Sequence, residues 1–208
     1  MNKPPDERAE DPRFQRVCAA LRSAVLELSS TDPVESISVA RVSEVAGVHR
    51  TSFYSHASSP VELLVTALAS EFEPVFDALL AEDLEPAVFW TSFYLVALRE
   101  VKSRKQIWIV AVRSGSAMLG GMQRVFKEAA AEAFPHVMGD WRAEDTGLWL
   151  EVALQQTSSN LMALITAWSL EGLKTPVEDL VGQYRTLAPP WQLAHRDEDG
   201  RITMARRK

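Results

Sequence analysis

From Ile37 to Leu64 the chain runs ISVARVSEVAGVHRTSFYSHASSPVELL, and the rest of the architecture can be inferred outward from these residues. Ser38 suits a helix N-cap because its hydroxyl can accept from a free backbone N–H. Val39, Val42 and Ala46 follow at helical spacing and give one apolar face. Gly47 suits the end of this helix, since glycine adopts a left-handed conformation without a Cβ penalty. The pattern predicts a short amphipathic helix followed by a tight turn.

The residues after Gly47 predict a second short helix that is too polar for a protein core. Val48 and Phe53 are its apolar anchors, whereas most of the other side chains donate or accept hydrogen bonds. A DNA major groove suits such a helix because base edges and phosphates present hydrogen-bonding groups. We therefore expect a helix-turn-helix that binds double-stranded DNA through these side chains: Ser38, His49, Arg50, Thr51, Ser52, Tyr54, Ser55 and His56.

The segment AGVHRTSFYSHASSPVELL, residues 46–64, resembles the signature of the TetR family of bacterial transcriptional regulators. The resemblance implies an all-α fold, with an N-terminal three-helix DNA-binding domain followed by a larger helical ligand-binding and dimerisation domain. It also implies a homodimer that binds a palindromic operator as a repressor and is released by an unknown small-molecule effector. The residues at motif positions are Gly47, Val48, Phe53, Tyr54, His56, Glu62, Leu63 and Leu64.

Three residues depart from the family's pattern. His49 stands where a small hydroxyl residue is usual, Ala57 stands for a Phe, and Pro60 stands for a Lys that, by the resemblance, approaches phosphate. These changes put one contact with the DNA backbone in doubt, and also some of the apolar packing beneath the second short helix. Pro60 still suits a helix start, with Ser59 and Glu62 forming a capping box. The alternative is therefore a helical small-molecule sensor with weakened or lost DNA binding.

The charge balance limits how strongly the chain can bind DNA without sequence preference. It carries 22 Lys and Arg against 28 Asp and Glu, a formal net charge of −6, and residues 1–64 hold seven basic and nine acidic residues. Between Ile37 and Ser58 the balance is locally positive, with Arg41 and Arg50 against Glu44. Affinity from counterion release grows with the number of phosphates neutralised. We expect weak nonspecific binding and dependence on a dimer.

The rest of the chain predicts helices throughout. The predicted domains are a disordered N-terminal arm (1–12), a helix-turn-helix domain (13–58), an effector-binding and dimerisation domain (59–190) and a C-terminal tail (191–208). Pro74 interrupts an apolar helix face and should kink or split that helix. No apolar run approaches the roughly 20 residues of a membrane span, and the polar N-terminus is unlike a secretory signal. A cytoplasmic location without membrane partners is expected.

The resemblance implies that the larger domain binds a small molecule between its helices. Aromatic and Met residues at helical spacing fill cores more often than they contact ligands, so core packing is the alternative for the candidate lining residues. These candidates are Trp90, Phe93, Tyr94, Trp108, Met118, Met122, Trp149 and Gln155.

The last long helix and the helix after it resemble the family's dimerisation helices, which pair with a second copy as a four-helix bundle. Val152, Met162 and Leu164 place apolar groups on further faces, more than one chain covers easily. The alternative is that the chain's own helices cover them all. The stripe predicted to meet the partner is Leu154, Leu161, Ile165, Trp168 and Leu180.

Catalytic patterns are missing from the sequence. Its four histidines show no paired metal-ligand spacing, and the single cysteine, Cys18, lies on an apolar stripe where a packed thiol is expected. The sequence GSAMLGG, residues 115–121, lacks the Lys-Ser or Lys-Thr ending and the β-α-β setting of a phosphate-binding loop. We expect no enzyme activity, no metal and no cofactor. A small helical enzyme is the third alternative, to be detected by turnover of a copurifying ligand.

Overall fold

The computed structural model describes residues 11–139 and 147–204. Within these ranges the chain is built from α-helices, with two 3-10 turns (Val34–Ser36 and Pro190–Leu193) and an antiparallel pair of two-residue strands, β1 (His195–Arg196) and β2 (Ile202–Thr203). The predicted all-α class is confirmed. The helices are α1 (Pro12–Ser29), α2 (Val39–Ala46), α3 (Arg50–Phe53), α4 (Pro60–Leu80), α5 (Pro86–Ser103), α6 (Lys105–Ser114), α7 (Met118–Met138), α8 (Leu148–Leu170) and α9 (Val177–Tyr184).

Some predictions fall outside the described residues. They are most of the N-terminal arm and the last four residues of the predicted C-terminal tail, 205–208. Among the helices that the structure describes, none has the length and apolarity that a membrane span requires.

The chain divides into two compact units. Unit 1 comprises Met1–Ala69 and Gln106–Gly121, and unit 2 comprises Ser70–Lys105 and Met122–Lys208. Unit 1 thus groups α6 and the first turn of α7 with the predicted DNA-binding segment, beyond the predicted boundary at residue 58.

Helix α4 is a single helix, so the prediction that Pro74 could split it is wrong. Proline removes one backbone donor from a helix interior. Phe72 and Phe76 on either side of Pro74 are both buried and stack on each other, with ring centroids 5.6 Å apart. The helix therefore continues through the proline with a buried aromatic residue on each side of it.

Local signals define the helices of unit 1. The Asp11 side chain caps α1 by accepting from the Arg13 N–H at 2.8 Å, and Ser38 Oγ caps α2 by accepting from the Arg41 N–H at 3.1 Å. Gly47 ends α2 in the left-handed region, with φ 64°. Ser59 Oγ accepts from the Glu62 N–H at 3.2 Å, which is half of the predicted capping box. The Glu62 carboxylate turns instead to the Ser58 N–H, at 2.8 Å.

Contacts between residues distant in sequence hold the corner between α6 and α7 in unit 1. The Glu35 carboxylate, on the turn before α2, accepts from Ser116 Oγ at 2.7 Å and from the Ala117 N–H at 2.8 Å. Gly121 lies so close to α4 that an added Cβ would stand 2.5 Å from Val65 Cγ2. The start of α7 is therefore fixed both by a carboxylate and by a close helix crossing.

Aromatic rings form the core of unit 2. Phe72 packs edge to face on Phe93 and Phe126, with centroids 6.2 and 5.5 Å away. Trp191, within the predicted C-terminal tail, is only 5% exposed and packs on Trp90 with centroids 5.1 Å apart. Treating residues 191–204 as a tail was therefore wrong, because this segment supplies a large buried side chain to the core of unit 2.

Candidate nucleic-acid interface

Helix α3 and the two residues after it present polar side chains to solvent. Arg50, Thr51, Tyr54 and Ser55 are exposed, Tyr54 to 64%, whereas Phe53 is fully buried. No described carboxylate lies within salt-bridge distance of Arg50. Phe53 thus anchors a short helix whose polar side chains face solvent.

His49 caps α3 at the position where the sequence resemblance predicted a small hydroxyl residue. It is the N-cap of α3, where its Nδ1 accepts from the Thr51 N–H at 3.4 Å and lies 2.9 Å from Thr51 Oγ1. An imidazole nitrogen therefore caps the helix in place of a hydroxyl. The departure at this position preserves the start of α3.

Ser38 and Ser52 are less available than the residues around Arg50. Ser38 is exposed, but its hydroxyl already caps α2, and Ser52 is half-buried. Arg41, one turn into α2, forms an exposed ion pair with Glu44 at 3.0 Å. The uncompensated positive charge of this face therefore centres on Arg50.

The structure assigns His56 to packing and not to the exposed face. Its ring stacks on Phe14 of α1 with centroids 4.0 Å apart, and the side chain is half-buried. Burial lowers the pKa of His56, and the positive charge of Arg22 lowers it further. His56 was predicted among the DNA-contacting side chains, but α1 covers and desolvates its ring.

An open groove beside this face was not foreseen from the sequence. Its volume is about 290 Å³, and its lining is Arg13, Arg16, Val17 and Ala20 of α1 together with Val48 at the turn before α3. The first four residues recur at spacings of three and four, a visible helix face, but the sequence did not show that Val48 lies against it. We call this the α1 groove.

The stripe predicted to meet a partner is covered by its own chain. Leu154 is 6% exposed, Leu161 and Ile165 are fully buried, and Trp168 is 1% exposed. The Trp168 indole N–H also donates to the Thr175 carbonyl at 3.0 Å. These four residues were assigned to dimerisation wrongly, since they form the inner face of α8. Only Leu180 of this set is half-exposed.

The outward face of α8 is a different stripe. Its residues recur at spacings of four, four, three, four, four and three, which keeps them on one side of the helix. Leu148, Val152 and Leu170 on this stripe are 80%, 56% and 62% exposed. The full stripe is Leu148, Val152, Gln156, Ser159, Ala163, Ala167 and Leu170.

The predicted effector-lining residues are divided between the two units. Trp108 and Met118 belong to unit 1 and are buried there, whereas the other six belong to unit 2. In unit 2, Trp149 is half-buried and Gln155 is exposed. The remaining four residues, all at most 2% exposed, are Trp90, Phe93, Tyr94 and Met122.

A network of hydrogen-bonded polar side chains is buried among the aromatic rings of unit 2. Tyr94 donates to the Thr157 carbonyl at 3.0 Å, and Gln192 Nε2 donates to Thr157 Oγ1 at 2.9 Å. Tyr184 stacks on Tyr94 with centroids 3.9 Å apart and donates to Gln192. Burial raises the pKa of Tyr184 to about 12, and it raises that of Tyr94 as well. Both phenols are therefore neutral donors.

Trp90 is the exception in this polar arrangement. Its indole N–H is buried and has no acceptor among the described residues, although its ring packs on Phe89, Phe93 and Trp191. A buried donor without a partner costs about 1–3 kcal/mol. Within the same residues, no three His, Cys, Asp or Glu side chains are grouped so that they could hold a metal ion.

Comparison with known proteins gives a match of fold alone. No protein-family model and no curated protein matches the sequence. Bacillus subtilis FadR, solved with stearoyl-CoA, aligns with a TM-score of 0.55 at 13% identity over 81% of this chain and 96% of its own. NalD from Pseudomonas aeruginosa, the secondary repressor of the MexAB-OprM multidrug efflux pump, aligns with a TM-score of 0.54 at 15% identity, over 84% of this chain and 96% of its own. A TetR transcriptional regulator from Streptococcus agalactiae aligns with a TM-score of 0.54 at 19% identity, over 86% of this chain and 97% of its own.

Proposed function

We propose that this chain, which has the TetR-like regulator fold, is a homodimeric DNA-binding transcriptional regulator controlled by a small molecule. The observation that carries the proposal is the exposed side of α3, where Arg50, Thr51 and Tyr54 project while Phe53 is buried. Arginine and hydroxyl side chains are residue types that hydrogen-bond base edges and phosphates in a major groove.

Each residue of the proposed interface has a proposed role. Arg50, Thr51, Tyr54 and Ser55 enter the major groove, with Arg50 the candidate for a guanine edge because its guanidinium can donate two parallel hydrogen bonds. Ser38, His49 and Ser52 lie nearer the phosphates. His56 is left out of this set because its ring packs on Phe14.

A homodimer would bring two such segments to one operator. The outward stripe of α8 supports this proposal, since Leu148, Val152 and Leu170 are large apolar side chains left in solvent by the single chain. Ala163 and Ala167 between them permit close approach of a second helix, and the half-exposed Leu180 of α9 could join the same interface. A twofold dimer then binds half-sites about 34 Å apart, one turn of DNA, or a multiple of that distance.

The effector is proposed to be a largely apolar molecule with one hydrogen-bond acceptor. Aromatic rings pack on the ring of Trp90, whose indole N–H has no acceptor among the described residues, so an acceptor placed there would satisfy this donor inside unit 2. FadR was solved with stearoyl-CoA, whose acyl chain is apolar, which is consistent with such a class. Binding must favour the geometry that does not bind DNA, and a coupling of about 1–3 kcal/mol changes operator affinity roughly 5- to 150-fold.

Repression is the proposed sign of regulation, as in NalD. A reporter gene placed behind the selected operator should be silenced by the chain and restored by the effector. A reporter that rises when the chain is present would reverse the sign and leave DNA binding intact.

The direct test is selection of bound duplexes from a random pool, repeated with cell extracts and candidate apolar metabolites. We expect enrichment of a twofold-symmetric site and its loss when an effector is added. Arg50→Ala serves as the matched variant, since it removes a proposed base contact from an exposed position. If the parent chain enriches no duplex, the alternative applies, namely a helical sensor that has lost DNA binding.

A further inference from the structure

We propose that the α1 groove is a second DNA-contacting surface, which holds the sugar-phosphate backbone beside the bases contacted by α3. This inference rests on the proposed function and extends it to a helix outside the helix-turn-helix signature. Its two charged members are Arg13 and Arg16.

The groove is continuous with the proposed interface. Val48, one of its lining residues, immediately precedes His49 and Arg50 in the chain. At the other end of the polar segment, His56 stacks on Phe14, between the two arginines in sequence. Helix α1 therefore lies against the DNA-binding segment at both its beginning and its end.

Arg13 and Arg16 carry positive charge that the described residues do not neutralise. Both side chains are exposed, and no described carboxylate lies within salt-bridge distance of either guanidinium. Among the described residues, the Arg16 side chain donates through its Nε–H to the Pro12 carbonyl at 3.2 Å. The nearest acidic residue in sequence, Asp11, is engaged as the N-cap of α1. Free guanidinium donors are suited to bidentate bonds with phosphate oxygens.

The shape of the groove fits a backbone better than a base edge. It is open, and its other lining residues, Val17, Ala20 and Val48, are small and apolar and offer no side-chain hydrogen bond to discriminate bases. A deoxyribose can pack against these residues while the two arginines hold the flanking phosphates. The positive surface would then extend beyond Arg50, which the charge balance of the sequence did not indicate.

The test is the salt dependence of binding to a selected duplex. The chain with Arg13→Gln and Arg16→Gln is compared with the parent, and the control carries Arg124→Gln and Arg185→Gln, two exposed arginines of unit 2 with the same loss of charge. We expect the slope of log affinity against log salt to fall by about 1.8 per bound chain in the first variant, since each phosphate contact contributes about 0.9. The control should keep the parent's slope.

Two further measurements separate a backbone contact from other effects. The order of preference among operator variants should be unchanged, because phosphate contacts carry no sequence information. Arg13→Lys with Arg16→Lys should restore most of the slope, since the charge returns. Circular dichroism melting verifies that each variant is folded.

The failures are distinguishable. A parent that binds its selected duplex while the glutamine variant keeps the full salt slope would overturn this inference and leave the proposed function standing. An altered preference among operator variants would also overturn it, because the arginines would then contact bases. A parent that binds no duplex removes the proposed function, and this inference with it.

Discussion

His49 shows how one side chain can occupy an unusual position without changing the local structure. Its imidazole nitrogen caps α3. Loss of an N-cap costs about 0.5–2 kcal/mol, and the 3.4 Å bond places His49 at the lower end. We predict that His49→Ala lowers the free energy of unfolding by about 0.5–1 kcal/mol in urea titrations, and that His49→Ser restores it. Equal destabilisation by both variants would show that capping is not what His49 contributes.

Arg50 and Tyr54 should respond differently to loss of their polar groups. Arg50→Ala is predicted to cost about 1–3 kcal/mol of operator affinity and to relax preference at one base pair. Tyr54→Phe keeps the ring and removes the exposed hydroxyl, so it should weaken binding evenly across sequences if that hydroxyl meets phosphate. Fluorescence anisotropy with a panel of operator variants measures both. A variant that binds the whole panel as the parent does would show that its side chain is misassigned.

Among elements, the start of α7 depends on Glu35. Hydrogen bonds from Ser116 and Ala117 lower the pKa of Glu35, although burial opposes them. A carboxyl whose pKa is lower in the folded chain stabilises it above the unfolded value, near 4.5, and this contribution is lost as the pH falls through the folded pKa.

We predict that Glu35→Gln lowers the free energy of unfolding by about 1 kcal/mol at pH 7, a value discounted because the side chain is partly solvated. The difference from the parent should shrink as the pH falls below 4.5, the ordinary value for Glu35. Urea titrations at several pH values measure it. Glu128→Gln, at an exposed position of α7, is the control. A difference from the parent that does not change with pH would contradict the assignment.

The crossing of α4 and α7 gives a matched pair of glycines. Gly121→Ala would push a methyl group to 2.5 Å from Val65 Cγ2, whereas an added Cβ at Gly120 meets nothing within 4 Å. We predict that Gly121→Ala destabilises by about 1–3 kcal/mol and that a second change, Val65→Ala, recovers part of this cost. Gly120→Ala should stabilise by about 0.5–1 kcal/mol because alanine is the better helix former. Similar melting temperatures for the two single variants would disprove the close crossing.

At the scale of the whole molecule, a substitution on the outward stripe of α8 should affect dimer assembly, whereas one on its buried stripe should affect stability. Val152→Glu places a charge on the outward stripe and is predicted to give a monomer in sedimentation and to weaken operator binding. Val88→Glu, at another half-exposed valine, is its control and should leave assembly unchanged. Leu161→Ala should instead cost about 2–5 kcal/mol of stability, because it empties space in the core. A Val152→Glu dimer of parental affinity would rule out this interface.

The chain's local patterns predicted more than its long-range packing. The order α2, turn and α3 followed from Ser38, Gly47 and Phe53, whose signals act within a few residues. The buried stripe through Leu161 was recognised as an apolar face, but periodicity shows only that a face is covered, and here the chain itself covers it. The α1 groove, the stacking on His56 and the burial of Trp191 depend on residues far apart in the chain, so no local pattern could indicate them.

The position of Trp191 has a consequence for biosynthesis. Because this ring packs on Trp90, a newly made chain leaves that part of the aromatic interior uncovered until Trp191 is available to fold. Unit 1 draws its residues from the first 121 positions and has no such delay. Chains that end before Trp191 should therefore bind chaperones that recognise exposed aromatic surface, and the chain that includes residues 191–204 should not.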